Sequence, residues 1–490
     1  MLPNTAKRDI DSYLSSSSED NYTFAMLIET SEDEFSCPPC FHPALCRVII
    51  DGVQLRNSAI SLAFAQTISA LGKLTHLELH LFNNYNVTPS DLEELFFSCP
   101  PSMESLKLFA EIRSSRGCLA NDEEVSESDY KIERSLPEPR VDPLWRLKEL
   151  RLPILVSPKG YSAESISSIL EHCPALESWN ALDFWFEEVN DAAAKAISLH
   201  RNLRHVTVPH QQYCHFIEAV LRSLIGLPQD QLETLRWLNP NTWDDALDIT
   251  QQFLQRHSRS LREIRLEAFF SIDGKVVNAI TSTCESLELL TIAMDSRYHS
   301  VSRIPPENLI MSEWVCHNLQ HLELFVEVPE DDRSGQSDHD MGPASITCME
   351  KDALGQLYRQ IGLMTKLKIL DLKRQDTYSG LNYYEVPLPR LLTLEDDENG
   401  AVGCLSMLAG LTNLRELRGS VRVDTSELSK RMGQQEIEWM AEHWPSLEVA
   451  EFLQDDYAKV PNFEIPAHLK WLQEQRPKLR LAIDRNHRLE

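Results

Sequence analysis

The densest group of chemically capable side chains is Cys37-Pro-Pro-Cys40-Phe-His42-Pro-Ala-Leu-Cys46. Thiols and an imidazole are donors that hold zinc, and a closed zinc site needs four of them on converging segments. A single Cys-x-x-Cys is present here without a second pair at an ordinary loop distance. Cys46 also falls in a stretch that reads as a strand, where burial accounts for it. The segment is expected to be a packed N-terminal cap with no metal. Asp338-His339-Asp340 lies in a polar insertion, a poor place to fix ligands. The chain has no Gly-x-Ser-x-Gly, no Gly-x-x-x-x-Gly-Lys-Ser/Thr and no His-Glu-x-x-His. The spacings that set up a serine nucleophile, a phosphate cradle or a zinc-peptidase helix are therefore missing. Only 16 glycines occur in 490 residues, too few to favour phosphate-binding loops. A GTPase-activating role would need a positioned arginine, and none stands out. No catalytic residue, cofactor or metal is expected, and the chain reads as a non-enzyme.

What the sequence repeats is a phrase: an apolar residue, two variable ones, an apolar one, one variable, then a third apolar one. It appears as Leu74-Thr-His-Leu77-Glu-Leu79, Leu147-Lys-Glu-Leu150-Arg-Leu152, Leu261-Arg-Glu-Ile264-Arg-Leu266 and Leu319-Gln-His-Leu322-Glu-Leu324. Copies start at 45, 74, 103, 147, 176, 203, 232, 261, 287, 319, 367, 414, 447 and 479, and five of the steps equal 29 residues. Those beginning at Leu45, Leu176, Leu447 and Leu479 are the weaker ones. Alternation of the second and third apolar residues is the signature of a strand with one buried face. Between strands lie amphipathic helical stretches such as Ser90 to Phe97, with Ser90 and Glu93 placed as a capping box, Ser162 to His172, Gln212 to Leu224, Ala246 to Gln255 and Gln434 to Glu442. One strand and one helix cannot bury their apolar faces alone, so the units must stack. The expected fold is α/β: a solenoid of about 13–14 repeats, strands lining a concave face and helices a convex one.

Many helices end in a short marker: Ser98-Cys99-Pro100, His172-Cys173-Pro174, Thr283-Cys284, Val315-Cys316-His317 and His443-Trp444-Pro445. Such Cys-Pro-x-Leu-x-x-Leu units resemble the cysteine-containing leucine-rich repeats of ribonuclease-inhibitor-like proteins, especially the fungal F-box/leucine-rich-repeat family, over about residues 40–485. The resemblance implies a horseshoe solenoid and a substrate-recognition role in a ubiquitin ligase, with a cullin-ligase adaptor as one partner. It also leaves open a stand-alone inhibitor or regulator of an enzyme. An F-box is not recognisable. Leu2-Pro3, Ile10 and Tyr13-Leu14 are similar in spacing to its first helix, but Ala6, Lys7 and Asp11 stand where that helix is apolar.

Residues 1–36, with Ser15-Ser-Ser-Ser-Glu-Asp and Ser31-Glu-Asp-Glu, are expected to be unstructured, and 37–490 to form the solenoid. The long steps place polar insertions near 110–142, 327–348 and 375–400, and the third has room for a degenerate repeat around Leu388 to Leu394. Net charge is −28, from 47 Lys and Arg against 75 Asp and Glu, which disfavours nucleic acid as a partner. No apolar h-region follows the first residues, and no apolar run approaches the roughly 18 residues that span a bilayer. Eleven cysteines without framework spacing fit a reducing compartment. A cytoplasmic or nuclear protein with no membrane contact is expected.

The third, fifth and seventh residues of each phrase should face the open side of the strands, since the fourth and sixth point inward. On that face Lys107 falls beside Arg151 and Arg236 beside Arg265, while Phe109, Leu182, Leu238 and Phe325 supply apolar anchors. These eight residues are the expected partner-binding surface. The partner is a protein with acidic or phosphorylated side chains, unless Glu149, Glu263 and Glu267 neutralise the bases internally.

Overall fold

The computed structural model describes residues 23–27, 45–53, 58–81, 89–110, 142–152, 162–180, 187–208, 214–238, 247–268, 272, 274–294, 304–326, 348–373, 393–394, 403–419, 432–453 and 464–481. They divide into two units, Met1–Gln211 and Gln212–Glu490. Each unit is a leucine-rich-repeat solenoid with parallel strands in one layer and helices in the other.

In the first unit the strands are β1 (Thr23–Leu27), β2 (Arg47–Val53), β3 (His76–Leu81), β4 (Ser105–Ala110), β5 (Glu149–Arg151), β6 (Ser178–Asn180) and β7 (His205–Val208). Each pairs in parallel with the next in sequence order. Helices α1 (Ser58–Ala70), α2 (Pro89–Ser98), α3 (Ala163–Glu171) and α4 (Glu187–Ile197) connect them. The second unit repeats the plan with β8 (Thr234–Leu238), β9 (Glu263–Ala268), β10 (Leu289–Met294), β11 (His321–Phe325), β12 (Ile369–Lys373), β13 (Glu416–Arg418) and β14 (Val449–Ala450), again parallel and in order. Its helices are α5 (Cys214–Ile225), α6 (Leu247–His257), α7 (Gly274–Thr283), α8 (Pro306–Leu309), α9 (Cys348–Gly362), α10 (Gln434–His443) and α11 (Ala467–Gln475). A 3-10 turn spans Leu405–Leu408.

Every strand from β2 onward opens at the third residue of its phrase. Third residues stand opposite one another: Arg47, His76, Ser105, Glu149, Ser178 and His205 in the first unit, Thr234, Glu263, Leu289, His321, Ile369, Glu416 and Val449 in the second. The phrase at Leu479 contributes a single bridge, Arg480 to Val449. Backbone bonds hold this register. The carbonyl of Thr75, a second residue, accepts from Glu104 N at 2.7 Å and Ser105 N at 3.0 Å in the next repeat, and Lys148, Glu177, Arg262, Gln320, Lys368 and Arg415 do the same. A slip of one residue would turn every leucine outward, so the leucines and these paired bonds enforce the same alignment.

The core lies between the layers. First, fourth and sixth residues such as Leu74, Leu77, Leu79, Leu261, Ile264 and Leu266 are buried against helix residues such as Leu95, Ile169, Phe253 and Ile280. The marker cysteines Cys99, Cys173, Cys284 and Cys316 are fully buried. Burial pushes the Cys173 and Cys284 thiols up, and that of Cys316 to about 12, so they pack as small apolar groups.

Several expectations are corrected. Cys46 precedes β2 and is exposed; the buried residue there is Leu45. Helix α2 begins at Pro89, so Ser90 lies inside its first turn. Glu93 does not close a capping box: it is buried, its carboxyl is raised by that burial, and its side-chain partner is Ser165 of α3. Ser162 does cap α3, accepting from Ser165 N at 3.0 Å. β12 pairs directly with β13; of a degenerate repeat around Leu388 to Leu394 only Thr393 and Leu394 are described, and the rest lies outside the described residues. β1 is a strand that the phrase does not mark, inside the segment read as unstructured.

Candidate functional site

Along the described strands, fourth and sixth residues are buried and third and fifth ones are mostly half-buried, as in β3, β7 and β11. The residues facing away from the core thus form rows that run from strand to strand. In the first unit Lys107 stands in register between Glu78 and Arg151. The adjacency of Lys107 and Arg151 is therefore real, and the structure answers it. Lys107 Nζ lies 2.9 Å from Glu149 Oε1, while Ser105 Oγ donates to Glu149 Oε2 at 2.8 Å. Both oxygens of Glu149 are thereby engaged, one strand away from Lys107.

Phe109 is not the bare anchor expected from its position. Its ring stacks on the His80 imidazole of the preceding strand, with centroids 4.5 Å apart and planes 10° from parallel. The guanidinium carbon of Arg151, on the following strand, lies 3.9 Å from the Phe109 centroid. His80 Nε2 is in turn 2.9 Å from Glu78 Oε1. A cation against an aromatic face is worth about 0.5–1 kcal/mol at an exposed site. Three strands thus cooperate to hold one half-buried ring, with His80 and Arg151 against it.

In the second unit Arg236 and Arg265 are register partners. Arg265 pairs with Glu263, two residues back on its own strand, and Arg418 pairs with Glu416 in the same way. Row mates further along are nearly closed off: Thr291 and Asp371 are buried. His321 is half-buried, and desolvation, aided by Arg418 and opposed by Asp371, pushes its pKa down to about 4. Its imidazole is neutral at physiological pH. Phe325 is half-buried at the end of β11. Leu182 lies outside the described residues, and for Leu238 and Glu267 only the backbone is described.

At β14 the expected open face is lost. Val449, Glu451 and Leu453 are all buried. Beside β14 the chain pairs with the next phrase, Ala450 N donating to Arg480 O and Leu453 N to Leu481 O, each at 2.9 Å. Glu451 accepts from Gly419 N at 2.8 Å, and Gly419 has φ 86°, which favours glycine.

Two features escaped sequence reading. The residue before many phrases reaches back one repeat: Ser102 Oγ to Leu74 O and Ser260 Oγ to Leu232 O, each at 2.7 Å, and Asn413 Nδ2 to Thr365 O at 2.8 Å. The recurrence of Ser or Asn just ahead of the leucine was the available signal. His257 occupies a marker position that cysteine holds in several other repeats; it is fully buried, with Nε2 2.9 Å from Leu224 O and Nδ1 3.5 Å from Leu232 N. Nothing in the local pattern distinguished it from a surface histidine.

Among the described residues no group of three or more His, Cys, Asp or Glu could hold a metal ion. Cys37, Cys40 and His42 lie outside them. No helix among them is long and apolar enough to cross a membrane. No protein-family model matches the sequence, and no curated protein matches it. Among solved structures, a chain from the crystal structure of the Rad7 and Elc1 complex in yeast is similar at a TM-score of 0.34 and 13% identity, over 87% of this chain and 74% of that one. The fold rests on the strand register and burial described above, not on that likeness.

Proposed function

We propose that this chain is a non-enzymatic protein-interaction scaffold that holds a partner protein on the strand face of its repeats. The observation that carries the reading is the His80–Phe109–Arg151 stack, flanked by the Lys107–Glu149 pair. Its side chains are already held by neighbours on adjacent strands, so binding there loses little rotamer freedom. Because Lys107 and Arg265 already hold Glu149 and Glu263, a partner's acid would have to share or displace those pairs. Specific contact with the Phe109 ring, rather than net charge, therefore dominates this face.

Within that role, the resemblance of the repeats supports a substrate-recognition element similar to F-box/leucine-rich-repeat receptors of ubiquitin ligases. A stand-alone inhibitor or regulator of an enzyme is the second reading, supported by the resemblance of the same repeats to ribonuclease-inhibitor-like proteins. Affinity purification of the tagged full-length chain from its native cells separates them. Recovery of a cullin-ligase adaptor, lost on deleting residues 1–44, supports the receptor. A stoichiometric enzyme without adaptor, its activity changed by the purified chain, supports the regulator.

A further inference from the structure

The second residues of the phrases form a row at the edge where the strands begin. Elsewhere this row is charge-balanced: Lys148 Nζ lies 3.2 Å from Glu177 Oε1, and Arg262 Nη1 lies 3.2 Å from Glu288 Oε1. In the second unit the alternation then breaks. Gln320, Lys368 and Arg415 follow in successive repeats, with Lys368 O accepting from Arg415 N at 2.8 Å. A parallel row, the residues just before the phrases, reads Asn318, Lys366 and Asn413. Lys366 Nζ lies 2.6 Å from Asn318 Oδ1 and Lys368 Nζ 2.7 Å from Gln320 Oε1. Both ammonium groups are thus oriented by neutral amide oxygens. No carboxylate among the described residues pairs with Lys366, Lys368 or Arg415, and all three are exposed. On a chain of net charge −28 this is a local excess of positive charge.

Apolar side chains stand beside it. Met311 is 62% exposed and Leu363 55%, on two turns tied together by Gln360, whose Nε2 donates to Ser312 O at 3.1 Å and whose Oε1 accepts from Trp314 N at 2.7 Å. Leu363 shares its turn with Lys366, and Thr365 N donates to Leu363 O at 2.9 Å. Glu288, whose Oε2 accepts from Gln320 Nε2 at 3.2 Å, bounds the row on one side and Glu448, following Arg415, on the other; exposed Glu313 adjoins Met311.

We propose that this edge is a second docking surface, separate from the strand face, that takes an acidic segment of a partner protein carrying an apolar side chain. Carboxylates of that segment meet Lys366, Lys368 and Arg415, and its apolar side chain covers Leu363 and Met311. The arrangement matches an interface with an apolar centre and a charged rim. An anionic membrane surface is a poorer match, since recognition there uses clusters of about 4–8 cations.

The test uses the full-length chain and a fluorescent synthetic peptide of Asp and Glu interrupted by leucines, read by anisotropy. The Lys366→Glu/Lys368→Glu/Arg415→Glu variant should bind at least about tenfold more weakly, with a flatter salt dependence. Leu363→Ser should weaken binding several-fold and leave the salt dependence unchanged. A control with equal charge change elsewhere, Lys73→Glu/Lys195→Glu/Arg201→Glu, should keep affinity within about twofold. If the reversal variant does not fold, the glutamine substitutions at the same three positions should show a smaller loss in the same direction. Equal affinity in the edge variant and the control overturns the proposal. So does binding to phosphatidylserine vesicles, but not to the peptide, that the edge variant abolishes, and so does a dimer of this chain that the edge variant dissociates. Phe109→Ala, on the strand face, should leave peptide binding intact, so this surface and the strand face fail or succeed separately.

Discussion

Helix α9 contains two glycines, and the same substitution should have opposite effects at them. A Cβ built on Gly362 would sit 2.0 Å from the Met407 carbonyl oxygen and 3.1 Å from its carbon, where α9 meets the 3-10 turn. That is 1.0 Å inside the 3.0 Å that real Cβ atoms essentially never cross, and the obstacle is backbone. Gly410 closes the same contact from the other side, its would-be Cβ lying 2.3 Å from Gly362 O. Gly355, two turns earlier, would meet nothing nearer than Met407 Cε at 3.9 Å. Overpacking costs about 1–3 kcal/mol, and backbone that must move places Gly362→Ala near the top of that range. Removing a helical glycine returns up to about 1 kcal/mol at either site. Gly362→Ala should therefore destabilise the chain by about 2 kcal/mol, whereas Gly355→Ala should be neutral or slightly stabilising. Denaturant titration, with hydrogen exchange of α9 to confirm where the change acts, reads both. A Gly362→Ala variant as stable as Gly355→Ala would refute the close approach of α9 and the turn.

Three further outcomes follow from single contacts. The folded pKa of His321, pushed down to about 4, lies below the ordinary value of about 6.5. Its contribution to stability is intact above about pH 6.5, declines as the unfolded chain takes up the proton, and is lost once pH has fallen through about 4. His321→Gln should flatten the fall in melting temperature between those pH values; an unchanged slope would remove His321 as its cause. Ser260→Ala removes the bond to Leu232 O and should cost about 1 kcal/mol in denaturant titration, whereas no loss would mean that the inter-repeat bond is dispensable. Arg476 donates to Ala441 O and Trp444 O at the end of α10, so Arg476→Met should speed hydrogen exchange in α10 and leave α7 unchanged.

The strand layer was legible because its signal is redundant. Leucines at the first, fourth and sixth positions repeat often enough that even the weak phrases at Leu45, Leu176 and Leu447 mark strands. The adjacency of Lys107 with Arg151, and of Arg236 with Arg265, followed from register alone. What those side chains do next did not. Whether Lys107 turns to Glu149, or Phe109 lies between His80 and Arg151, depends on rotamers chosen across neighbouring strands, and spacing leaves these open. The last repeat failed for a different reason. At Val449, Glu451 and Leu453 the positions that are open in other repeats are closed, and Glu451 turns to accept from Gly419 N, a contact that spacing does not encode. The cationic edge was hidden because it is defined by missing acids in a row of second residues, a pattern visible only once the repeats are stacked.

The most direct test of the strand-face account is quantitative recovery of the stoichiometric partner from native cells by the unaltered chain, by Phe109→Ala/Arg151→Ala and by Lys73→Glu/Lys195→Glu/Arg201→Glu. The account predicts that the Phe109/Arg151 pair loses the partner by at least about tenfold while remaining folded, and that the charge control retains it. Full recovery by the Phe109/Arg151 variant would contradict it and place the partner elsewhere on the molecule.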